Sequence, residues 1–221
     1  SGEIFRRDEE SWTKIPGTLF ALSVASDGAV IGINGENVYR WNVERNAWVA
    51  IVKPSEKLKQ ISAVSKDEAW GVGESQKIYH WKDSVWTKVS GGLVQISASS
   101  NGAVWGVNAS SEVFRLDNGV WTKISGALVA LSVAPDGAII GVNNGGDIWR
   151  WKGGSGTTGW EKLSEPPEKL KQISVVSAKE AWGVGESKKV YRWQNGIRSD
   201  KNNVWVEVSG KTLAQVTALS Q

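Results

Sequence analysis

At 221 residues the chain can form one sizeable domain or two small ones, and such a length buries roughly 70% of its unfolded surface. The absence of Cys and the single His, His80, exclude disulfides, thiolate or histidine-rich metal centres and a cysteine nucleophile. The 26 Lys and Arg against 23 Asp and Glu are scattered without a basic block of the kind that tracks nucleic-acid phosphates, and no apolar run reaches the about 18 residues of a membrane span. The opening "SGEIFRRDEES" lacks the basic end and apolar core of a signal peptide, so a cytoplasmic location is expected.

In chain order, "SGEIFRRDEESWTKI" reads as the third and fourth strands of a unit, the first of the two carrying Phe5 and Arg6 and the second closing on Trp12. The next unit, closed by Trp48, reads as four strands separated by Asp, Gly and Asn turns. Its second strand holds Gly32 and ends in Asn34, its third opens Tyr39, Arg40, Trp41, and Trp48 closes it. The second unit contains "EAWGVGES", with Trp70, Gly71 and Glu74, followed by Tyr79, His80 and Trp81 and closed by Trp86. The third holds Trp105, Gly106, Asn108, Phe114 and Arg115 and closes on Trp121. The fourth holds Ile140, Gly141, Asn143, Trp149, Arg150 and Trp151 and closes on Trp160. The fifth repeats "EAWGVGES" with Trp182, Gly183 and Glu186, continues through Tyr191, Arg192 and Trp193, and reaches Trp205 after a polar insertion at 195–203 that reads as a long loop. The final "LAQVTALSQ" matches the first strand of a unit.

The closing tryptophans Trp12, Trp48, Trp86, Trp121, Trp160 and Trp205 lie 36, 38, 35, 39 and 45 residues apart. Short runs rich in Val, Ile, Trp and Tyr, broken by Gly, Asn, Asp and Ser, are successive antiparallel strands, four to a unit. A small sheet that is apolar on both faces must stack on its neighbours, so a unit of about 36 residues recurring six times predicts a six-bladed β-propeller rather than a β-sandwich. The expected organisation is one all-β domain over 1–221, in two groups of three blades. Pro54 to Trp81 and Pro166 to Trp193 match at 21 of 28 positions. Pairing of the N- and C-terminal strands is expected to close the ring. Blade six, assembled from both termini, is expected to lack its second strand, since the wrap from Trp205 round to Trp12 is only 28 residues.

The mid-strand glycines Gly32, Gly71, Gly106, Gly141 and Gly183 lack the Lys-Ser or Lys-Thr and the helix of a phosphate loop. They mark close packing, expected between blades. The closing tryptophans are expected as wedges between blades. Before each third-strand Trp, or its equivalent, stands a cation (Arg6, Arg40, His80, Arg115, Arg150, Arg192) that needs a carboxylate, carbonyl or ring partner. Second strands vary, with Trp70, Trp105 and Trp182 in three units and Ile31 and Ile140 in two. They end in Asn34, Asn108 and Asn143 or in Gly-Glu at Glu74 and Glu186. An aromatic beside Asn, Glu and Arg is sugar chemistry, because C–H faces lie on rings while hydroxyls pair with amides, carboxylates and guanidinium. The candidate carbohydrate-binding residues are therefore Asn34, Tyr39, Arg40, Trp70, Glu74, Tyr79, Trp105, Asn108, Arg115, Asn143, Trp149, Arg150, Trp182, Glu186, Tyr191 and Arg192. The competing reading makes them blade packing and turn formers. Asp27 and Asp136 sit in "DG" turns explained by backbone geometry, and one His permits at most one Ser-His-acid arrangement, so catalysis finds little support.

The unit "LVQISASSNGAVWGVNASSEVFRLDNGVWTKI" resembles the tectonin repeat, and the whole array resembles the fungal tectonin lectins. The resemblance implies a six-bladed propeller that binds carbohydrate, with O-methylated glycans of bacteria and nematodes as ligands and a defensive role. The leading expectation is a multivalent lectin, a monomer with several sites and neither cofactor nor metal. Two other classes stay open: a propeller scaffold that binds protein, and a glycan-cleaving enzyme with paired carboxylates.

Overall fold

The computed structural model describes residues 2–8, 10–154, 159–194 and 204–218; the expected loop at 195–203 lies outside them. The chain divides into two compact units, Ser1–Gly92 and Leu93–Gln221. The first holds a two-stranded sheet, β1 (Glu3–Asp8) and β2 (Ser11–Thr18), and two four-stranded blades. Blade one is β3 (Ala21–Val24), β4 (Val30–Asn34), β5 (Asn37–Asn42) and β6 (Ala47–Ile51). Blade two is β7 (Leu58–Ser65), β8 (Glu68–Gly73), β9 (Lys77–Lys82) and β10 (Val85–Gly92). The second unit holds three blades. Blade three is β11 (Gln95–Ala98), β12 (Val104–Val107), β13 (Glu112–Asp117) and β14 (Val120–Ala127), and blade four is β15 (Ala130–Val133), β16 (Ile139–Val142), β17 (Ile148–Trp151) and β18 (Trp160–Lys162). Blade five is β19 (Leu170–Ser177), β20 (Glu180–Gly185), β21 (Lys189–Gln194) and β22 (Val204–Thr212). In every blade the four strands pair antiparallel in sequence order.

Six blades were expected, the sixth short of its second strand; the described residues contain five four-stranded blades, plus the β1–β2 sheet. The expected pairing of terminal strands is absent from the strand pairs of the described residues. The tail Leu213–Ala218 is not a strand, and β1 joins a sheet of two. The tail nevertheless follows blade five as a first strand follows the blade before it. Val216 N–H donates to Gln172 Oε1 at 2.9 Å and Ala218 N–H to Ser174 Oγ at 3.0 Å.

The same side chains link first strands elsewhere. Ser23 Oγ accepts from Ala63 N–H, Ser97 Oγ from Val133 N–H and Ser132 Oγ from Val175 N–H, each at 2.9 to 3.0 Å. The Gln95 amide copies a peptide group, donating to Leu131 C=O at 2.8 Å and accepting from Leu131 N–H at 3.3 Å.

The closing tryptophans act as wedges with a fixed donor. The indole N–H of Trp48 reaches Pro16 C=O, that of Trp86 reaches Val52 C=O, that of Trp160 reaches Ser125 C=O and that of Trp205 reaches Ser164 C=O, at 2.7 to 3.0 Å. Each bond crosses to the last strand of the preceding sheet or to the residues just after it, and it satisfies an N–H whose burial would otherwise be costly. Two third-strand tryptophans differ. Trp81 (3% exposed) and Trp193 (0%) bury indole N–H groups that meet no acceptor among the described residues.

The mid-strand glycines correct an expectation. A Cβ on Gly32, Gly71, Gly106, Gly141 or Gly183 would meet a leucine methyl of the same blade (Leu19, Leu58, Leu93, Leu128 or Leu170) at 2.3 to 2.8 Å. The glycine makes room within its own sheet rather than between blades. A bulky residue entering the first strand folds over the second, and only a missing side chain leaves space for it.

Candidate functional site

Consecutive residues of a strand point to opposite faces, so the third-strand aromatic and the cation after it cannot share one platform. The sequence-predicted set therefore divides into two groups.

On one face the cation opposes the variable second-strand residue: Ile31↔Arg40, Trp70↔His80, Trp105↔Arg115, Ile140↔Arg150 and Trp182↔Arg192. His80 stacks on Trp70 with centroids 4.1 Å apart, and Arg115 and Arg192 lie over Trp105 and Trp182 at 5.7 and 5.2 Å. Each of these basic side chains also has a carboxylate. Arg6 pairs with Asp8, Arg40 with Asp67, His80 with Glu68, Arg115 with Asp117, Arg150 with Glu161 and Arg192 with Glu180. Trp105 is 2% exposed and packs against Trp151 and Trp160 of blade four, while Trp70 is 6% exposed. Their rings belong to the core. Trp182, half-buried, donates its N–H to Glu180 Oε1 at 2.9 Å. These pairs satisfy the demands of burial within the protein itself.

The other face carries the aromatics. Tyr39, Tyr79, Phe114, Trp149 and Tyr191 each oppose the mid-strand glycine, and Tyr79, Phe114 and Trp149 oppose Lys88, Lys123 and Lys162 of the fourth strand. Here the blades form two chemical classes.

In blades three and four an Asn, an acid and a Lys meet beside a half-buried aromatic. Asn108 Nδ2 donates to Glu112 at 2.7 Å while its Oδ1 accepts from Ser110 and Glu112 N–H, and Glu112 also pairs with Lys123. Asn143 Nδ2 donates to Asp147 at 2.8 Å, its Oδ1 accepts from Asp147 N–H, and Asp147 pairs with Lys162 at 2.6 Å. Lys123 and then Asn108 hold Glu112 below the usual carboxylate range, Lys162 and then Asn143 do the same for Asp147, and Asp147 with Glu165 raises Lys162. The asparagines thus close the turn between second and third strands, and the acid–Lys pairs form a fixed polar rim next to Phe114 and Trp149. Trp149 packs against an apolar cluster that includes Val107, Val113, Ile124 and Leu128. In blade one Asn34 is exposed, Tyr39 is half-buried and the nearby charge pair is Lys53 with Glu36 at 2.9 Å.

In blades two and five the aromatic is a buried tyrosine, 3% (Tyr79) or 2% (Tyr191) exposed. Glu74 is exposed and paired with Lys57 at 2.9 Å, which lowers its pKa. Glu186 is exposed, and its backbone N–H bonds to Lys169 C=O. The residues that organise these turns are two others, Glu56 and Glu168. Ser75 Oγ donates to Glu56 at 2.6 and 2.9 Å, and Ser187 N–H and Oγ donate to Glu168 at 2.8 and 2.5 Å. Tyr191 O–H donates to Glu168 at 2.8 Å; burial and then Glu168 push the phenol up to about 12, while the Ser187 bonds lower Glu168.

Sequence reading missed Glu56, Glu168, Glu112, Asp147, Lys123 and Lys162. An acid four residues beyond Asn108 and Asn143, and an acid two residues ahead of Leu58 and Leu170, are the signals that mark them.

The Tectonin domain family matches residues 1–79, 46–120 and 93–220. The chain belongs to the Tectonin domain family. Its blades are those of an all-β, β-propeller protein with four-stranded antiparallel blades. No curated protein sequence matches this tectonin chain. Among solved structures it is similar to virginiamycin B lyase from Staphylococcus aureus (16% identity, TM-score 0.64, covering 99% of this chain and 82% of that one). It is also similar to YCF48 bound to D1 peptide (18%, 0.59, 93% and 74%) and to YCF48 from Cyanidioschyzon merolae (14%, 0.55, 89% and 74%). At these identities the likeness is one of fold. The described residues of this tectonin hold no group of three or more His, Cys, Asp or Glu placed for a metal, and no helix long and apolar enough to cross a membrane.

Proposed function

We propose that this tectonin protein is a multivalent carbohydrate-binding lectin for O-methylated sugars of bacterial or nematode surface glycans, acting in defence. It works as a cytoplasmic monomer without metal or cofactor. The observation that carries the reading is the edge of blade four, where the half-buried Trp149 ring has an apolar cluster behind it and the Asn143–Asp147–Lys162 group beside it. A sugar ring stacks its C–H face on such an indole, its hydroxyls meet the polar rim, and a methyl ether lies against the aliphatic side chains. Similar edges at Tyr39 and Phe114 supply further weak sites, which gain strength on a polymer through effective concentration.

The non-enzymatic reading is supported by the use already made of the only histidine: His80 is stacked on Trp70 and bonded to Glu68 at 2.8 Å. A second reading, a scaffold that binds protein, draws support from the YCF48 neighbour, which is described as bound to a peptide.

Titration with an O-methylated monosaccharide and its unmethylated parent tests the proposal. The methylated sugar is expected to bind more tightly, and Trp149→Ala to weaken binding at that site by up to about tenfold, the value of one aromatic contact. Specific capture of a protein, together with no response to any methylated or bacterial glycan, would overturn the lectin reading.

A further inference from the structure

We propose that blades two and five are self-occupied. Glu56 and Glu168 seat their carboxylates where the other blades leave the third-strand aromatic open, so sugar sites are confined to blades one, three and four. This deepens the lectin reading and rests on it for the nature of the ligand, while the seat itself stands on geometry alone.

Three observations converge. The first is a complementary exchange between two positions that lie far apart in sequence. Where the second strand ends in Asn34, Asn108 or Asn143, the residue two before the first-strand leucine is Gly17, Gly91 or Gly126. Where it ends in Gly73 or Gly185, that residue is Glu56 or Glu168. The second is steric. A Cβ on Gly73 would lie 1.6 Å from Glu56 Oε1, and one on Gly185 would lie 2.3 Å from Glu168 Oε1, so the glycine exists to admit the carboxylate. The third is the exposure of the aromatic. Tyr79 and Tyr191 are 3% and 2% exposed, whereas Tyr39, Phe114 and Trp149 are half-buried.

Each glutamate follows a three-residue insertion, Lys53 to Ser55 or Glu165 to Pro167, that the other blades lack, and the insertion's Pro54 or Pro166 is buried. In blade five the seat is a small anion receptor. Ser187 N–H, Ser187 Oγ and Tyr191 O–H all donate to one carboxylate, which Lys189 also holds down in pKa. The N–H of Ser187 donates to Glu168, where the corresponding Ser110 N–H donates to Asn108 Oδ1 in blade three. The turn is therefore satisfied in both classes, and in blade two the insertion itself reaches the tyrosine, Ser55 Oγ lying 3.3 Å from the Tyr79 hydroxyl.

A seat shaped for a tethered carboxylate accepts a free one. In the full chain carrying Glu168→Ala, rising sodium acetate at constant ionic strength is expected to raise the melting temperature relative to sodium chloride, with no such difference in the wild type. If Glu168→Ala does not fold, Glu56→Ala gives the same reading in blade two, where the carboxylate has fewer partners. Calorimetric titration of the wild type with an O-methylated monosaccharide is expected to give at most three equivalents per chain. Acetate and chloride acting alike on the folded variants, or more than three equivalents of sugar, would overturn the proposal. Acetate stabilising the variants while the wild type binds no sugar supports the seat and removes the lectin reading instead.

Discussion

Gly183 and Leu170 stand thirteen residues apart, as do Gly71 and Leu58, Gly106 and Leu93, Gly141 and Leu128, and Gly32 and Leu19. The constant interval identifies one local interaction made five times: a leucine that enters with the first strand and lies on the second. Replacing Gly183 by Ala sets a methyl 2.5 Å from Leu170 Cδ1, and the overpacking is expected to cost about 1–3 kcal/mol in urea unfolding. Gly183→Ala as stable as the wild type would show that the leucine moves aside freely. At this scale the sequence reveals that something bulky approaches the glycine, because a glycine inside a Trp- and Val-rich strand leaves a gap that a neighbour must fill. It does not reveal which residue, because the register between first and second strands is set by pairing that no single run displays. The predicted sugar residues show a similar limit. Tyr39 with Arg40, and Trp149 with Arg150, are neighbours in sequence, yet strand geometry sends them to opposite faces, and the partners on each face come from cross-strand pairing.

At the level of elements, the turns do more than reverse the chain. Asp136 accepts Ala138 N–H within its own turn at 3.0 Å and Ala178 N–H of the next blade at 2.7 Å, and Asp27 does the same for Ala29 and Lys66. A "DG" turn set by backbone geometry alone predicts only the first bond. Asp136→Ala loses both and is expected to destabilise by about 1–2 kcal/mol, whereas Asp136→Asn keeps one carboxamide oxygen and loses about half as much. Equal effects of the two substitutions in thermal melts would mean that the link between blades contributes nothing. The strands themselves were legible almost throughout, since β-branched and aromatic runs broken by Gly, Asn and Asp have few alternatives. The closing tryptophans were legible by period. The insertions at Lys53 to Ser55 and Glu165 to Pro167 were not, because three polar or proline residues between strands resemble any loop until Glu56 and Glu168 are seen on Gly73 and Gly185.

At the scale of the whole molecule, eight carboxylates among the described residues sit below their ordinary range through Lys, Arg or hydroxyl partners: Glu36, Asp67, Glu74, Glu112, Asp117, Asp147, Glu161 and Glu168. A folded-state pKa below the unfolded one gives stability that is fully present above the unfolded value and disappears as pH falls through the folded one. The melting temperature is therefore expected to hold from neutral pH to about 5 and to fall progressively below about 4, near ordinary carboxylate values. A profile that is flat to lower pH would show these pairs to be too solvated to matter, as isolated surface ion pairs often are. The count of repeats was legible in the spacing of Trp12 to Trp205, yet six units yield five complete blades, because the terminal segments supply β1, β2 and the tail but no second strand among the described residues. The serine link between successive first strands has a consequence for descent. Ser23, Ser97, Ser132 and Ser174 read a main-chain N–H, and the residues that offer it are Ala63, Val133, Val175 and Ala218. Such a joint places no demand on the identity of the incoming side chain. Duplicated copies could diverge at their ligand-facing edges, some acquiring an asparagine and some a glutamate, while every copy remained compatible with its neighbours.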